Sequence, residues 1–163
     1  MKRMETLAGR ILLLVVATVF MSACQASGSK EADSDSQSDF VGEALVDAVE
    51  QTHFSAVVRH VNVERKDTGS SDSEPVFLHR VEVREVFRGP EVESLTYELY
   101  AEPGETSAAP SEWVIITLCQ GSNGFEWPGT GAIFPATEKL VEVARKAARD
   151  ASPDQQAFTQ CDW

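Results

Sequence analysis

The spacing of the hydrophobic residues divides most of this chain into segments with a helical period and segments with a strand period. Residues 40–49 repeat apolar side chains every three to four positions, which predicts a short helix with Asp39 as its N-cap. Residues 138–150 show the same period and predict a second helix with Thr137 as its N-cap. The inward stripe of this second helix is expected to consist of Leu140, Val141, Ala144, Ala147 and Ala148.

Strand patterns fill the region between the two predicted helices. Residues 54–65 carry apolar side chains first on one parity and then on the other, and this change near Val58 indicates a β-bulge or a strong bend. Residues 76–87 and 95–102 alternate between apolar and polar positions, which is typical of strands with one face in the core. Residues 113–119 (WVIITLC) are apolar on both parities and predict a strand covered on both sides, and GAIFP at 131–135 predicts a short fifth strand.

The order of these elements resembles that of a known class of small domains. The second predicted strand ends in a pattern like V-x-x-V-x-K-G, and a later strand starts with an aromatic residue followed by aliphatic ones. The residues that carry the two patterns are Val83, Val86, Arg88, Gly89 and the segment 113–118. Residues 52–150 thereby resemble netrin-module and tissue-inhibitor-of-metalloproteinase-like domains, which are barrels of the oligonucleotide/oligosaccharide-binding (OB) type.

The resemblance implies a β-rich α+β fold: a small, five-stranded, OB-like barrel with flanking N- and C-terminal helices. The alternative is an antiparallel sheet with a helix packed on one face. The resemblance does not extend to inhibition. The inhibitors of that family place a free N-terminal cysteine on a protease metal, whereas Cys24 lies about 30 residues before the first predicted strand.

The N-terminal segment has the pattern of an export signal. Basic residues precede an apolar run over residues 11–21, which is shorter than the roughly 20 residues that a membrane-spanning helix needs. The run ends in the sequence Met21-Ser22-Ala23-Cys24, which resembles the lipobox of bacterial lipoproteins. This resemblance implies cleavage of a signal peptide at residues 1–23 and a diacylglycerol on the thiol of Cys24. In that family an aspartate directly after the cysteine commonly retains the protein at the inner membrane, so the resemblance, with Gln25 at this position, favours the outer membrane facing the periplasm.

Composition separates a tether from a folded region. Residues 24–39 contain no large apolar side chain after the cysteine, so we expect a flexible tether there. Residues 40–163 are expected to form a single globular envelope domain. The formal net charge of the chain is -12, and an acidic surface repels phosphate backbones. Nucleic acid is therefore not an expected partner, and the lipid on Cys24 is the expected contact with the membrane.

The two other cysteines, Cys119 and Cys161, are expected to form a structural disulfide, because exported proteins fold in an oxidising compartment. The alternatives are two free thiols or a redox pair. No C-x-x-C motif is present, and 42 positions separate the two cysteines. A bond between them would attach the C-terminal tail to the end of the buried strand.

No residue cluster indicates a catalytic site. His60 and His79 lie on neighbouring predicted strands, but zinc needs three or four ligands and only these two can be named, so both are interpreted as solvent-facing or hydrogen-bonded. No metal or cofactor is predicted. Phe125 and Trp127 lie in a segment that we interpret as a turn, and they are candidate ligand-contact aromatics because OB-type domains bind oligosaccharides with their loops. Capping of the core is the alternative role for this aromatic pair.

These observations predict a lipid-anchored lipoprotein of the bacterial cell envelope that acts as a non-enzymatic binding or assembly module. Its expected partner is an envelope protein or a glycan. The alternative is an envelope enzyme or an enzyme inhibitor whose site is assembled from residues far apart in the sequence.

Overall fold

A computed structural model describes residues 30–66, 74–102, 104–107, 109–129, 131–152 and 154–162. Cys24 and the signal segment lie outside this part of the chain. The described elements, in chain order, are α1 (Lys30–Glu50), β1 (Phe54–Lys66), β2 (Val76–Arg88), β3 (Ser94–Tyr100), β4 (Val114–Gly121), β5 (Gly124–Glu126), β6 (Ile133–Pro135), α2 (Glu138–Asp150) and a 3-10 turn (Thr159–Cys161).

Five of the strands close a ring of hydrogen-bonded pairs. The order around the ring is β1, β2, β3, β5 and β4, and β4 then pairs with β1 again. The β3–β5 pair is parallel, and the other four pairs are antiparallel. One helix precedes the strands in sequence and the other follows them. The predicted β-rich α+β fold with five OB-like strands and two flanking helices is confirmed, and the alternative of an antiparallel sheet with a helix on one face would have no such ring.

The strand that closes the ring is not the one that the sequence predicted. GAIFP forms β6, which pairs with β4 through Val114 to Ile116 and stays outside the ring. The closing strand is β5, in the segment that we interpreted as a turn. A two-residue loop joins β4 to β5, with Gly121 paired to Gly124 and a positive φ of 131° at Gly124. Because β5 has only three residues and follows this glycine-rich loop, its local pattern is that of a turn.

Helix α1 begins at Lys30 and not at the predicted cap, Asp39. It therefore overlaps the end of the segment predicted as a flexible tether, residues 24–39, and the flexibility of that segment stays a prediction. Starting a helix is costly, whereas extending one adds a hydrogen bond for each residue that is ordered. The predicted helix can thus extend backwards past Asp39. Neither α-helix in the described part of the chain combines the length and apolar character that a membrane crossing needs.

Helix α2 and strand β4 agree with the sequence. The Thr137 hydroxyl accepts a hydrogen bond from the Leu140 amide at 3.3 Å, as an N-cap does. In β4 every residue from Val114 to Cys119 is buried, and β1 pairs with one edge of this strand. The irregularity predicted near Val58 in β1 is also present, since the β1–β2 register shifts between Val57 and Val58 and again between His60 and Asn62.

Two hydrophobic cores lie on opposite faces of the strands. The outer core packs both helices against the outward side chains of β1, β4 and β6. Its buried residues are Leu45, Ala48, Val49, Val57, Ile115, Phe134, Leu140, Val141, Ala144 and Ala147. The inner core fills the ring. Its buried residues are Phe54, Ala56, Val58, Val81, Tyr97, Val114, Ile116 and Leu118.

The C-terminal tail is attached to the end of α1 and to β4. Cys119 and Cys161 form the predicted disulfide. Arg88 donates hydrogen bonds to the carbonyl oxygens of Val49 and Glu50 and so caps α1, and it also donates to the side chain of Gln155 at 3.0 Å. The tail therefore covers the last turn of α1, where unpaired carbonyl groups would otherwise need partners.

Candidate ligand-binding cleft and the buried histidine pair behind it

Strand register brings three inward side chains of the ring together. In the β2–β3 pair His79 lies directly opposite Tyr97, and in the β3–β5 pair Phe125 lies beside Tyr97 on the other edge. Side chains directly opposite one another in a sheet have Cβ atoms about 5 Å apart and are in contact. His60 faces the same interior from β1, immediately before the bulge at Asn62. Three strands thus place two imidazoles and a phenol in one space.

Four rings form a continuous series, which we call the aromatic column: Trp127, Tyr97, His79 and His60. The rings of Trp127 and Tyr97 are stacked with centroids 5.8 Å apart. Tyr97 is stacked in turn on His79 at 4.8 Å with an interplanar angle of 16°. His60 meets His79 edge-on at 5.3 Å. The column runs from partly exposed Trp127 into the ring, where Tyr97 and His79 are each only 2% exposed.

Each histidine has one hydrogen-bonded nitrogen and one without a partner. His60 Nε2 is hydrogen-bonded to the Tyr97 hydroxyl at 2.8 Å, and His79 Nε2 is hydrogen-bonded to Ser107 Oγ at 2.7 Å. The Nδ1 atoms of both histidines are buried and have no hydrogen-bond partner among the described residues. An unsatisfied buried polar atom costs free energy, and the hydroxyls of Ser55 and Thr117 are likewise buried without a partner among the described residues.

Burial keeps the column uncharged near neutral pH. Burial and, to a smaller extent, the neighbouring His60 together lower the pKa of His79 from 6.5 to about 4. Burial also lowers the pKa of His60 and raises the pKa of the Tyr97 hydroxyl well above its ordinary value. Desolvation penalises the charged form of each group. The column can therefore donate and accept hydrogen bonds, but it presents no charge to a ligand at neutral pH.

The outer end of the column opens on a surface cleft of about 470 Å³, which lies within the size range of small-ligand sites. Its lining residues are Tyr100, Glu126, Trp127, Pro128 and Gly129. Tyr100 is 50% exposed, which is unusual for an aromatic side chain. The position of Trp127 is fixed from behind by Tyr97, and its backbone amide donates a hydrogen bond to the Glu98 carbonyl oxygen at 2.8 Å.

Carboxylates set the electrostatics of the cleft. The Tyr100 hydroxyl donates a hydrogen bond to Glu98 at 2.9 Å, and Lys66 donates to the other oxygen of Glu98 at 2.8 Å. These two donors, Lys66 first, hold the pKa of Glu98 below its ordinary value, and Glu98 raises the pKa of Tyr100. Glu126 is the carboxylate that lines the cleft, and Glu98 is linked to the lining through the Tyr100 hydroxyl. The cleft combines two aromatic side chains with the carboxylate of Glu126.

The structure separates the two aromatics that the sequence paired. Trp127 lines the cleft, and its role as a ligand contact stays a prediction. Phe125 is a residue of β5 and does not line the cleft. It packs on the inner core, with its ring centroid 4.8 Å from that of Phe54. The interpretation of Phe125 as a loop aromatic was wrong because β5 was not recognised as a strand.

Sequence reasoning missed Tyr97, Tyr100 and Ser107. One signal was present for the interior of the ring, since His79 has the same parity in β2 as the apolar residues Phe77 and Val81. That parity indicates a histidine that faces the core. Both His60 and His79 are in fact buried and hydrogen-bonded, so the solvent-facing alternative does not apply to them.

A second group of chemically reactive side chains lies at the disulfide. His53, Cys119 and Cys161 each offer one donor atom, and these atoms lie within 4.8 Å of one another. The His53 ring packs on Phe158 with centroids 4.0 Å apart. Burial is the main cause that lowers the pKa of His53, followed by the charge of Arg88, while Asp162 acts in the opposite direction.

Comparison of the sequence with known proteins identifies no family for this chain. No protein-family model matches the chain, and no curated protein is significantly similar to it in sequence. The functional argument therefore depends on the geometry and chemistry of the residues described above.

Proposed function

We propose that this protein is a lipid-anchored lipoprotein of the bacterial cell envelope whose folded part is a non-enzymatic, glycan-binding module. The cleft between Tyr100 and Trp127 is the proposed ligand site. The observation that carries this proposal is an open cleft that is lined by two aromatic side chains and the carboxylate of Glu126. The resemblance of the sequence to OB-type domains, some of which bind oligosaccharides, supports it.

The lipid anchor is supported by the lipobox-like sequence that ends at Cys24. Two or more acyl chains on one residue give stable membrane anchoring, whereas one gives marginal anchoring. We expect Cys24→Ala to leave an unprocessed precursor without lipid. Mass spectrometry of the membrane fraction measures the mass of the chain directly. Removal of residues 1–23 and acylation in the Cys24→Ala variant would contradict the anchor.

The chemistry of the cleft favours an uncharged glycan. Sugar rings present apolar C–H faces that stack on aromatic rings, and their hydroxyl groups donate hydrogen bonds to carboxylates such as Glu126. The same carboxylates repel polymers that carry phosphate or uronic acid groups. The formal net charge of -12 also makes the whole protein repel anionic polymers. We therefore expect N-acetylated or neutral sugars, and not anionic polysaccharides, as ligands.

A calorimetric titration with a short N-acetylglucosamine oligosaccharide tests the ligand class. We expect saturable binding, no binding of a uronic acid oligosaccharide of equal length, and a loss of about tenfold or more in affinity for Trp127→Ala, which corresponds to roughly 1.4 kcal/mol. Trp113→Ala is the matched control, because Trp113 lies between Arg59 and Arg84 and outside the cleft. Equal affinity of the wild type and Trp127→Ala would contradict the proposed site.

The alternative function, an envelope enzyme or an enzyme inhibitor, is favoured by one observation. Strongly shifted pKa values occur most often at functional sites, and that of His79 is shifted to about 4. His79 is 2% exposed, however, and a general base must reach its substrate within hydrogen-bonding distance. Shorter sugar products after incubation with the oligosaccharide, detected by mass spectrometry, would favour the enzyme over the binding module.

A further inference from the structure

His53, Cys119 and Cys161 come from three separate parts of the fold and meet at the surface of β4. Cys119 is in β4, His53 immediately precedes β1, and Cys161 ends the 3-10 turn of the C-terminal tail. Their donor atoms lie within 4.8 Å of one another. Cys119 is buried, and the other two residues are partly exposed, so solvent can reach the group from one side.

The structure holds this group together by more than the disulfide. The backbone amide of His53 donates a hydrogen bond to the Leu118 carbonyl oxygen at 3.1 Å, and this bond fixes His53 beside β4. The tail next to Cys161 is held by two side-chain contacts to the end of α1. Thr159 donates from its hydroxyl to Gln51 at 3.0 Å, and Gln160 donates to Asp47 at 2.8 Å. Reduction of the disulfide therefore leaves Cys161 with other attachments near Cys119.

We propose that the reduced form of this group is a zinc site with two thiolates and one imidazole as protein ligands. A dithiol reductant supplies two electrons and two protons, the S–S bond breaks to give two thiols, and the reductant becomes a disulfide. Zn²⁺ then binds Cys119 and Cys161 as thiolates and releases their two protons to solvent. The third ligand is His53, and water occupies the fourth position.

The geometry and the electron pairs fit such a site. Tetrahedral zinc with Zn–S distances of about 2.3 Å and Zn–N distances of about 2.0 Å needs donor atoms roughly 3.5 to 4 Å apart. The donor atom of His53 already lies within 4.8 Å of both sulfur atoms, and the two sulfur atoms must move apart when their bond is reduced. A neutral imidazole has one lone pair, and in His53 it accepts a hydrogen bond from the Gln120 amide at 3.2 Å. The metal takes that lone pair, so one hydrogen bond is exchanged for a Zn–N bond.

The consequence is an alternative cross-link between the C-terminal tail and β4. In oxidising conditions the disulfide joins the tail to β4, and in reducing conditions zinc joins them. A chain that is reduced and free of metal keeps its tail attached by hydrogen bonds and by the contacts of Phe158 with His53 and Arg88. The site is distinct from the cleft, and it does not depend on the proposed glycan binding.

Cobalt titration of the full-length chain tests the site, because Co²⁺ has visible and near-ultraviolet bands that report thiolate ligation in tetrahedral geometry. The protein is reduced without oxygen by a phosphine, which does not compete as a thiol ligand. We expect one Co²⁺ per chain, displacement of Co²⁺ by Zn²⁺, and no binding to the oxidised protein. His53→Ala should weaken Co²⁺ binding at least tenfold. His60→Ala, a histidine inside the ring, should leave the affinity unchanged.

His53→Gln is the second variant, because glutamine keeps a hydrogen-bond acceptor for Gln120 but is a poor zinc ligand. Circular dichroism follows the fold of each reduced protein. Absence of thiolate–cobalt bands in the reduced wild type would overturn the proposal, and so would equal affinity of the wild type and both His53 variants, whether the reduced chain is folded or not. Cys24→Ala should keep the bands; their loss would show that Cys24 supplies a ligand and would also overturn the site.

Discussion

The two cores of this molecule share the same strands but differ in what they bury. The outer core, under α1 and α2, contains no histidine, but the outward faces of β1 and β4 beside it bury the hydroxyl groups of Ser55 and Thr117, which have no hydrogen-bond partner among the described residues. The inner core, inside the ring, shares its space with His60, His79 and the hydroxyl of Tyr97, and two imidazole nitrogens there have no partner among the described residues. Apolar packing alone would have been the more stable choice at these positions. The two cores therefore differ in the kind of polar group beside them: the outer side buries two hydroxyls, whereas the inner core buries two imidazoles and a phenol behind the cleft.

The charged contacts also differ between the side that carries the helices and the side that carries the cleft. On the helix side, Arg145 of α2 forms a two-point hydrogen-bonded ion pair with Glu85 of β2 at 2.6 and 2.9 Å. Side chains of this pair are partly exposed, so its contribution to stability is modest. On the cleft side, Glu98 is paired with Lys66 but also accepts from Tyr100, which lines the proposed site. On the helix side, the ion pair of Arg145 with Glu85 attaches α2 to β2. On the cleft side, Glu98 positions the ring of Tyr100.

The largest effect is expected from the outer core. Ile115 is fully buried at its centre, and Ile115→Ala leaves a cavity, so the free energy of unfolding should fall by about 3 kcal/mol. Urea unfolding measures this change. Glycan binding at a temperature where the variant is folded should be unaffected, because Ile115 faces away from the ring. A tenfold loss of glycan affinity in the folded variant would break the distinction between the two cores.

The pH dependence of stability should come from the inner core. The pKa of His79 in the folded protein is about 4, against 6.5 for the unfolded chain. Below pH 6.5 the unfolded chain binds a proton that the folded protein does not bind until the pH approaches 4. Stability is therefore complete above pH 6.5 and falls as the pH drops toward 4, by an amount on the order of 2 kcal/mol for this residue.

His79→Gln isolates this contribution. Urea unfolding at about pH 7, 6 and 5 should show a shallower loss of stability for the variant than for the wild type. Glu85 and Glu98 also have lowered pKa values, but their stabilisation is lost only below about 4.5, and both proteins share it. The interval between pH 5 and 7 therefore reports the histidines. Equal slopes for the two proteins would mean that His79 is not buried in its neutral form.

The smallest effect should come from one hydroxyl group. Tyr97→Phe keeps the stacking on His79 and Trp127 but removes the hydrogen bond to His60, and a buried hydrogen bond contributes about 1 kcal/mol. Thermal unfolding should show a correspondingly small decrease in melting temperature, with glycan affinity retained because Trp127 is still supported from behind. A loss of glycan affinity in this variant would show that the hydroxyl acts beyond packing.

The parts of the fold that the sequence predicted are those set by local patterns. Thr137 precedes an amphipathic repeat, which is sufficient to locate the start of α2. Residues 114–119 are apolar on both parities, and they form the buried strand. The start of α1 was wrong because the sequence argument concerned burial, whereas residues from Lys30 onward extend an existing helix without needing a buried face.

The candidate site could be predicted only in part, because strand register assembles it. Trp127 was recognised as an aromatic residue near a turn. Its support requires Tyr97 to lie opposite His79 and next to β5, and this depends on pairings between residues that are distant in sequence. The exposed position of Tyr100 depends likewise on where β3 ends. A period of two identifies which face of a strand is buried, but it does not identify the neighbours across the sheet.

The most direct test of the central claim is the nuclear magnetic resonance signal of the Trp127 indole N–H in the purified protein during addition of the N-acetylglucosamine oligosaccharide. We predict a saturable shift of this signal and no shift of the Trp113 indole, which lies between two arginines outside the cleft. An unchanged Trp127 signal at sugar concentrations that saturate binding in calorimetry, or a shift at Trp113 instead, would contradict ligand binding at the cleft.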